Sequence, residues 1–162
     1  SRRHTSLGRW SRGLGDVYKR QVLVSPMANE GVEIIVGTKY DDQFGPIIMY
    51  GLGGIMVEIL QDLSFHVLPI TSTNARKMIE QTKSFPILNG ARGKPPLDKK
   101  SIRRLLTLCS EITEAYPQIH EMDLNPVIVH ETGLSIVDAR VILKSDDGCR
   151  MSEDACRMAE DR

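Results

Sequence analysis

Apolar and polar residues alternate along Glu121-Met-Asp-Leu-Asn-Pro126 and again along Ile136-Val-Asp-Ala-Arg140, the period of strands with one buried face. Upstream, Val22–Ser25, Val32–Gly37, Pro46–Tyr50, Val57–Leu60 and Leu63–Leu68 are short runs rich in β-branched residues and read as further strands. The period then changes. Thr71 or Ser72 is placed to cap a short helix running through Ala75, Met78 and Ile79, and Asp98 to cap a longer one. In the longer helix Ile102, Leu105, Leu106, Cys109 and Ile112 fall at i, i+3, i+4, i+7 and i+10, one amphipathic stripe that stops before Pro117. Strands, then helices, then strands predict an α+β lobe (broadly of α/β type) with a mostly antiparallel sheet and packed helices over residues 22–144.

The two alternating segments read as a hairpin closed by His130-Glu-Thr-Gly133, with Gly133 free to take a positive φ. If His130 pairs with Gly133, the register sets Asn125 opposite Asp138 and Asp123 opposite Arg140. Directly opposed Cβ atoms lie roughly 5 Å apart. An Asn carbonyl and an Asp carboxylate at that separation can share one cation, and a site of few oxygens that leaves room for water and phosphate is how proteins hold Mg²⁺ at a nucleotide. The same residues also fit a plain surface hairpin, with Asp123 and Arg140 as a cross-strand ion pair.

Other candidates carry less information. Gly51-Leu-Gly-Gly54 follows a strand and either offers N–H groups to a phosphate or makes a tight turn. Glu33 and Glu58 sit in otherwise apolar strands, where each needs a partner or must face solvent. His66 and His120 read as half-buried or surface histidines. Arg92, in the loop Asn89–Gly93, either clamps a phosphate or sits in solvent. Cys109, Cys149 and Cys156 have neither metal-ligand spacing nor a disulfide framework. No segment has the length of a membrane span and no secretory signal is visible, so a reducing, cytoplasmic setting is expected.

Charge divides the chain. Residues 1–21 hold six Arg or Lys and one Asp, while the remainder holds fifteen basic and twenty acidic residues. A basic arm with Trp10 and Tyr18 fits nucleic-acid binding, but Ser11–Gln21 back-translates into a string resembling the adapter and transposon end used in DNA sequencing libraries. Residues 1–21 are therefore expected to be translated adapter, with native sequence beginning near Val22 and continuing upstream in the natural protein, and no nucleic-acid partner is expected. Residues 145–162 are polar, with the near-repeat Cys149–Asp154 and Cys156–Asp161, and are expected to be a disordered tail.

Phe44-Gly-Pro-Ile-Ile-Met-Tyr-Gly-Leu-Gly-Gly-Ile-Met-Val-Glu58, Asn89-Gly-Ala-Arg-Gly93, Glu121-Met-Asp-Leu-Asn-Pro126 and Val137-Asp-Ala-Arg140 occur in that order. Together they resemble the C-terminal part of the ATP-grasp domain of ADP-forming acyl-CoA synthetases (acetate–CoA ligases), relatives of the succinyl-CoA synthetase β chain. The resemblance covers Val22 to about Leu143. It implies the second lobe of an ATP-grasp fold with ATP/ADP and Mg²⁺ as cofactors. Asn125 and Asp138 match the Mg²⁺ ligands, Glu33 a nucleotide-contacting Glu, and Leu23, Val24 and Ser25 the hinge whose backbone meets adenine. Relatives carry Glu or Gln where Ser25 stands, and Ala28 replaces a polar contact of the succinate enzymes. Glu58, Arg92 and Arg140 are implied neighbours of the nucleotide or its phosphates. The implied reaction is acyl-CoA + ADP + phosphate = acid + CoA + ATP, with phosphate carried on a histidine of another domain or subunit. CoA-binding and phosphohistidine domains are the implied partners, and this segment alone is expected to be inactive. Two alternatives remain: the ATP-grasp region of a protein lysine acetyltransferase with a regulatory nucleotide lobe, and a non-catalytic binding module.

Overall fold

A computed structural model describes residues 27–54, 62–90 and 95–144. The strand expected at Val22–Ser25, the one at Val57–Leu60, and residues 1–21 and 145–162 lie outside the described residues. Within them, one sheet is built from β1 (Val32–Asp41), β2 (Gly45–Leu52), β3 (Leu63–Val67), β4 (Ile119–Val129), β5 (Leu134–Ile136) and β6 (Ala139–Leu143). The order is β3-β2-β1-β4, with β5 and β6 both on the outer side of β4. Every pairing is antiparallel. The helices are α1 (Ser72–Gln81), α2 (Phe85–Leu88) and α3 (Lys99–Ala115). None of them is long and apolar enough to cross a membrane.

β1 runs on to Asp41 instead of ending at Gly37, because Thr38 and Lys39 find ladder partners on both β2 and β4. The turn into β2 is an Asx turn: Asp41 Oδ1 accepts the N–H groups of Gln43 and Phe44 at 2.9 and 3.0 Å, and Gly45 takes φ 74°.

Thr71 is the N-cap of α1. Its Oγ1 accepts from Asn74 N at 3.2 Å while Asn74 Oδ1 accepts from Thr71 N at 3.0 Å, a reciprocal box that satisfies two otherwise orphaned donors. Asp98 caps α3, accepting from Lys100 N and Ser101 N, each at 3.1 Å. The short α2, with Pro86 in its first turn, had no periodic signal.

Both long helices cover one face of the sheet. Ala75, Met78 and Ile79 of α1 and Ile102, Leu105, Leu106 and Cys109 of α3 pack in one core with Ile34, Val36, Ile48, Tyr50, Met122, Leu124, Val127 and Val129. Ile112 departs from expectation and is 39% exposed. Ten residues at 3.6 per turn bring it about 80° away from Ile102, to the stripe's edge. Ser110 closes the buried side instead, its Oγ accepting from Ile70 N at 3.0 Å.

The hairpin keeps its expected register. His130 N donates to Gly133 O at 3.1 Å, Gly133 takes φ 79°, and Val127, Leu124 and Asp123 pair with Ile136, Ala139 and Arg140. Its second arm is broken, however. Val137 and Asp138 belong to neither β5 nor β6. At the same level β4 has slipped against β1: Ile34 pairs with Val127 but Val36 with Leu124. Asn125 and Pro126 thus stand against the single residue Ile35, a bulge of the kind that re-aims side chains.

Candidate functional site

The sheet face away from the helices is open. Alternation puts Ile35, Gly37 and Lys39 of β1 on it, together with Ile47 and Met49 of β2, Phe65 of β3, and Glu121 and Asp123 of β4. With Asn125 these residues line a concavity of about 360 Å³. Its floor is apolar and its β4 wall polar. Phe65 is 58% exposed there, an aromatic surface that the strand pattern leaves uncovered.

Asn125 ends this wall, and Asp138 stands opposite it on the outer edge of β4. Asn125 N donates to Asp138 O at 3.2 Å, and Val137 N donates to Pro126 O at 3.0 Å, so the two residues face one another where the ladder is interrupted. Both are exposed. Asp138 Oδ1 accepts from Ala139 N at 2.8 Å, which orients the carboxylate.

The donor set suits a hard cation: one carboxylate and one amide oxygen, each reachable from solvent. Among the described residues no group of three or more His, Cys, Asp or Glu is arranged to hold a metal. A cation at this pair would therefore keep most of its coordination for water and phosphate.

The local field is negative. Asp123 is held above the usual carboxylate range, first by burial and then by the charges of Glu121 and Asp138, with Arg140 acting in the opposite sense. The cross-strand ion pair that a plain surface hairpin would form between Asp123 and Arg140 is not made. They are opposed in register, yet the only side-chain ion pair within 4.0 Å among the described residues is Arg76–Glu80, at 3.8 Å. Arg140 extends into solvent, and at an exposed edge the entropy of fixing a long side chain offsets most of the attraction.

Glu33 faces solvent from β1, the second of the two outcomes open to it. It stands two residues, roughly 7 Å, along the strand from Ile35, the residue opposed by the bulge. Its backbone O accepts from Gly53 N at 2.7 Å, and a Cβ on Gly54 would come 3.1 Å from Glu33 Oε2. Gly51 and Leu52 thus finish β2, and Gly53 carries its ladder one step further against Glu33, with the Gly53 N–H already engaged. A Cβ on Gly51 would lie 2.5 Å from Leu63 Cδ2 and 2.9 Å from Asp62 O, so that glycine serves packing.

The two histidines play local roles. His66 Nδ1 donates to Val67 O at 2.7 Å and its Nε2 accepts from Asn74 Nδ2 at 3.1 Å, and His120 is half-buried. Burial pushes the Cys109 thiol up to about 11. Leu23, Val24, Ser25, Glu58 and Arg92 lie outside the described residues. Reasoning from sequence missed Lys39, Glu121 and the apolar floor, although the alternation of β1 and β2 carried the signal.

A family model described as ATP-grasp domain matches residues 7–143. The β subunit of acetate–CoA ligase (ADP-forming) II from Pyrococcus furiosus is 50% identical over 126 residues, which are 76% of this chain and 53% of that subunit. Acetate–CoA ligase (ADP-forming) I from Archaeoglobus fulgidus is 48% identical over 122 residues, covering 75% of this chain and 18% of that protein. Among solved structures, the dinucleotide-forming acetyl-coenzyme A synthetase 1 of Ca. Korarchaeum cryptofilum superposes with a TM-score of 0.69 at 44% identity, over 72% of this chain and 55% of that one. That structure holds coenzyme A and Mg-AMPPCP, with its phosphohistidine segment pointing towards the nucleotide-binding site. The chain spans about half the length of the β subunit it matches, and less than a fifth of the longer ligase. With a matching family model over most of its length and an open-faced antiparallel sheet backed by helices, the chain belongs to the ATP-grasp family.

Proposed function

We propose that this chain is the second lobe of the ATP-grasp domain of an ADP-forming acid–CoA ligase, and that its open sheet face holds Mg-ATP or Mg-ADP. The reaction of the whole enzyme is acyl-CoA + ADP + phosphate = acid + CoA + ATP, with a phosphohistidine and the CoA site supplied by other domains or subunits. The observation that carries this reading is the opposition of Asn125 and Asp138 where the ladder on the outer edge of β4 is interrupted, with Asn125 lining the concavity. Bound Mg²⁺ would neutralise phosphate charge.

On this reading Asn125 and Asp138 hold the metal through oxygen and leave its other positions to the nucleotide. Glu33, on the same face, contacts the nucleotide, and the apolar floor excludes water beneath it. Arg140 offsets the carboxylates and is free to swing to phosphate. Leu23, Val24 and Ser25 meet adenine through backbone groups, with Glu58 and Arg92 as further neighbours. No nucleophile or general acid is required of this lobe, because phosphoryl transfer depends chiefly on positioning and charge stabilisation.

The test is Asp138→Ala in the complete enzyme. Asp138 is exposed and its side chain bonds only to the next residue's N–H, so the variant should unfold at the wild-type temperature. Metal-dependent turnover and Mg-nucleotide binding should be lost. Normal turnover in a folded variant would refute the metal assignment.

A further inference from the structure

The carboxylate of Asp98 does more than an N-cap requires. Its Oδ1 suffices for the cap, accepting from Lys100 N and Ser101 N at 3.1 Å each. Oδ2 reaches across the fold to Gly133, whose N–H donates to it at 2.9 Å, and it also accepts from Ser101 Oγ at 2.8 Å. The backbone N–H of the same residue donates to His130 O at 2.9 Å. One residue at the start of α3 therefore grips both ends of the turn 130–133. The His130 ring adds a third tie: its Nδ1 donates to Glu30 O at 3.1 Å and its Nε2 accepts from Ser135 Oγ at 3.0 Å.

The position of that turn matters because of the break in the second arm. Register in a hairpin is set at the turn, and a slip of one residue sends each side chain to the opposite face. Here β5 contributes only three residues before the ladder stops at Val137 and Asp138. Beyond it, Asp138 is tied to Asn125 by one backbone bond of 3.2 Å, beside the Val137 N to Pro126 O bond at 3.0 Å, before β6 resumes the ladder at Ala139. On the turn side of the pair, a three-residue strand and two irregular bonds leave the register dependent on how the turn itself is held.

We propose that Asp98, assisted by His130, is a positioning residue for the Asn125/Asp138 pair: it clamps the turn so that the two oxygens stay opposed across the interrupted ladder. The inference rests on the metal reading of that pair. Removing a group bonded directly to a metal ligand typically changes affinity by about 10- to 100-fold; Asp98 acts through the turn and not on a ligand itself, so the low end of that range is the ceiling of the effect to look for.

The experiment compares Asp98→Ala, Asp98→Asn and Thr71→Ala in the complete enzyme. Thr71→Ala removes an N-cap from α1, which among the described residues makes no hydrogen bond to the hairpin, and so reports generic destabilisation. Two readouts are taken at a temperature where every variant is folded by circular dichroism: the half-saturating Mg²⁺ concentration with ADP, and metal-free hydrogen exchange at the amides of Gly133 and Asn125. Asp98→Ala is expected to raise half-saturating Mg²⁺ several-fold, to at most about tenfold, with kcat at saturating Mg²⁺ changed far less, and to speed exchange at both amides. Asp98→Asn, which keeps one capping oxygen and the side-chain volume but turns an N–H toward Gly133 in place of Oδ2, should keep the cap, lose the bond to Gly133 and show much of both changes. Thr71→Ala should alter neither, despite a similar loss of thermal stability. If Asp98→Ala leaves Mg²⁺ dependence and exchange at wild-type values, or shifts them no more than Thr71→Ala does, the clamp is overturned. Should Asp98→Ala not fold, Asp98→Asn decides: a wild-type Mg²⁺ requirement and unchanged exchange at Gly133 overturn it. Asp138→Ala in parallel separates the two ideas. Lost Mg²⁺ dependence there with none of these changes at Asp98 leaves the metal pair standing and removes only the clamp.

Discussion

Replacing Leu106 and Ile112 by alanine, one at a time, tests which face of α3 the fold uses. Leu106 is fully buried, whereas Ile112 is 39% exposed at the stripe's edge. Truncating Leu106 removes three carbons at about 0.8 kcal/mol each, or about 2.4 kcal/mol. The hole is enclosed by α1 and the sheet, so it cannot collapse fully, and the cavity term brings the total to about 3 kcal/mol. At Ile112 part of the side chain is already wet and solvent can fill the space, which limits the loss to about 1 kcal/mol. Urea unfolding of the full chain, followed by circular dichroism at 222 nm, reads the difference. With a slope of about 1.5 kcal/mol per molar, the midpoint should fall by about 2 M for Leu106→Ala and by well under 1 M for Ile112→Ala. Equal shifts with unchanged slopes would refute the packing argument, since Ile112 would then have to be as buried as Leu106.

A methyl group on Gly31 would lie 2.4 Å from Val129 O and 2.5 Å from Ile128 Cγ2, so Gly31→Ala should cost about 1–3 kcal/mol by the same urea assay. Four hydrogen bonds to its ionised form, led by Gly133 N–H, hold the Asp98 carboxyl at about 2. A depressed acid stabilises the fold above its unfolded value near 3.8 and loses that contribution as pH falls toward 2. Thermal melts from pH 5 to pH 2 should therefore show a wild-type decline that is shallower in Asp98→Asn. The Tyr50 hydroxyl is buried with no hydrogen-bond partner among the described residues, and burial, aided by the Asp62 charge, raises its pKa well beyond the usual range. Tyr50→Phe should be neutral or stabilising by up to about 1 kcal/mol in melting experiments, since an unpaired polar group is removed. Cys109, with its thiol raised to about 11 and its side chain buried, should react with a thiol reagent at pH 8 only as fast as the chain unfolds; the background for this assay is Cys149→Ser/Cys156→Ser.

The hairpin was legible because its signals are local. Gly133 marks the turn, and Met122 and Leu124 alternate with Asp123, so one pairing rule fixes Asn125 against Asp138. The long helix was legible for the same reason, through Asp98 and the spacing of Ile102 to Cys109. What escaped depends on contacts distant in sequence. Lys39 and Asp41 look like loop residues until β2 and β4 supply partners. The break at Val137 coincides with a bulge against Ile35, which neither arm of the hairpin encodes alone. The second oxygen of Asp98 reaches Gly133, 35 positions away. No periodicity announces that. The Asp123–Arg140 ion pair failed conversely: the register was right, but solvent competes for the charge.

The bulge at Asn125–Pro126 also bears on which length changes the chain tolerates. Because β4 carries two residues against one of β1, Leu124 and Val127, three apart, both point into the core. Deleting one of the two would restore plain alternation, with Leu124 and Val127 both still inward, but would remove or re-aim half of the proposed metal site, whereas removing the pair would make those two neighbours and turn one oily side chain outward. The segment is thus closed to drift in length from two directions, by parity on one side and chemistry on the other. Insertions should instead accumulate at the Asp41–Gly45 turn, where a Cβ on Gly45 would meet nothing within 4 Å.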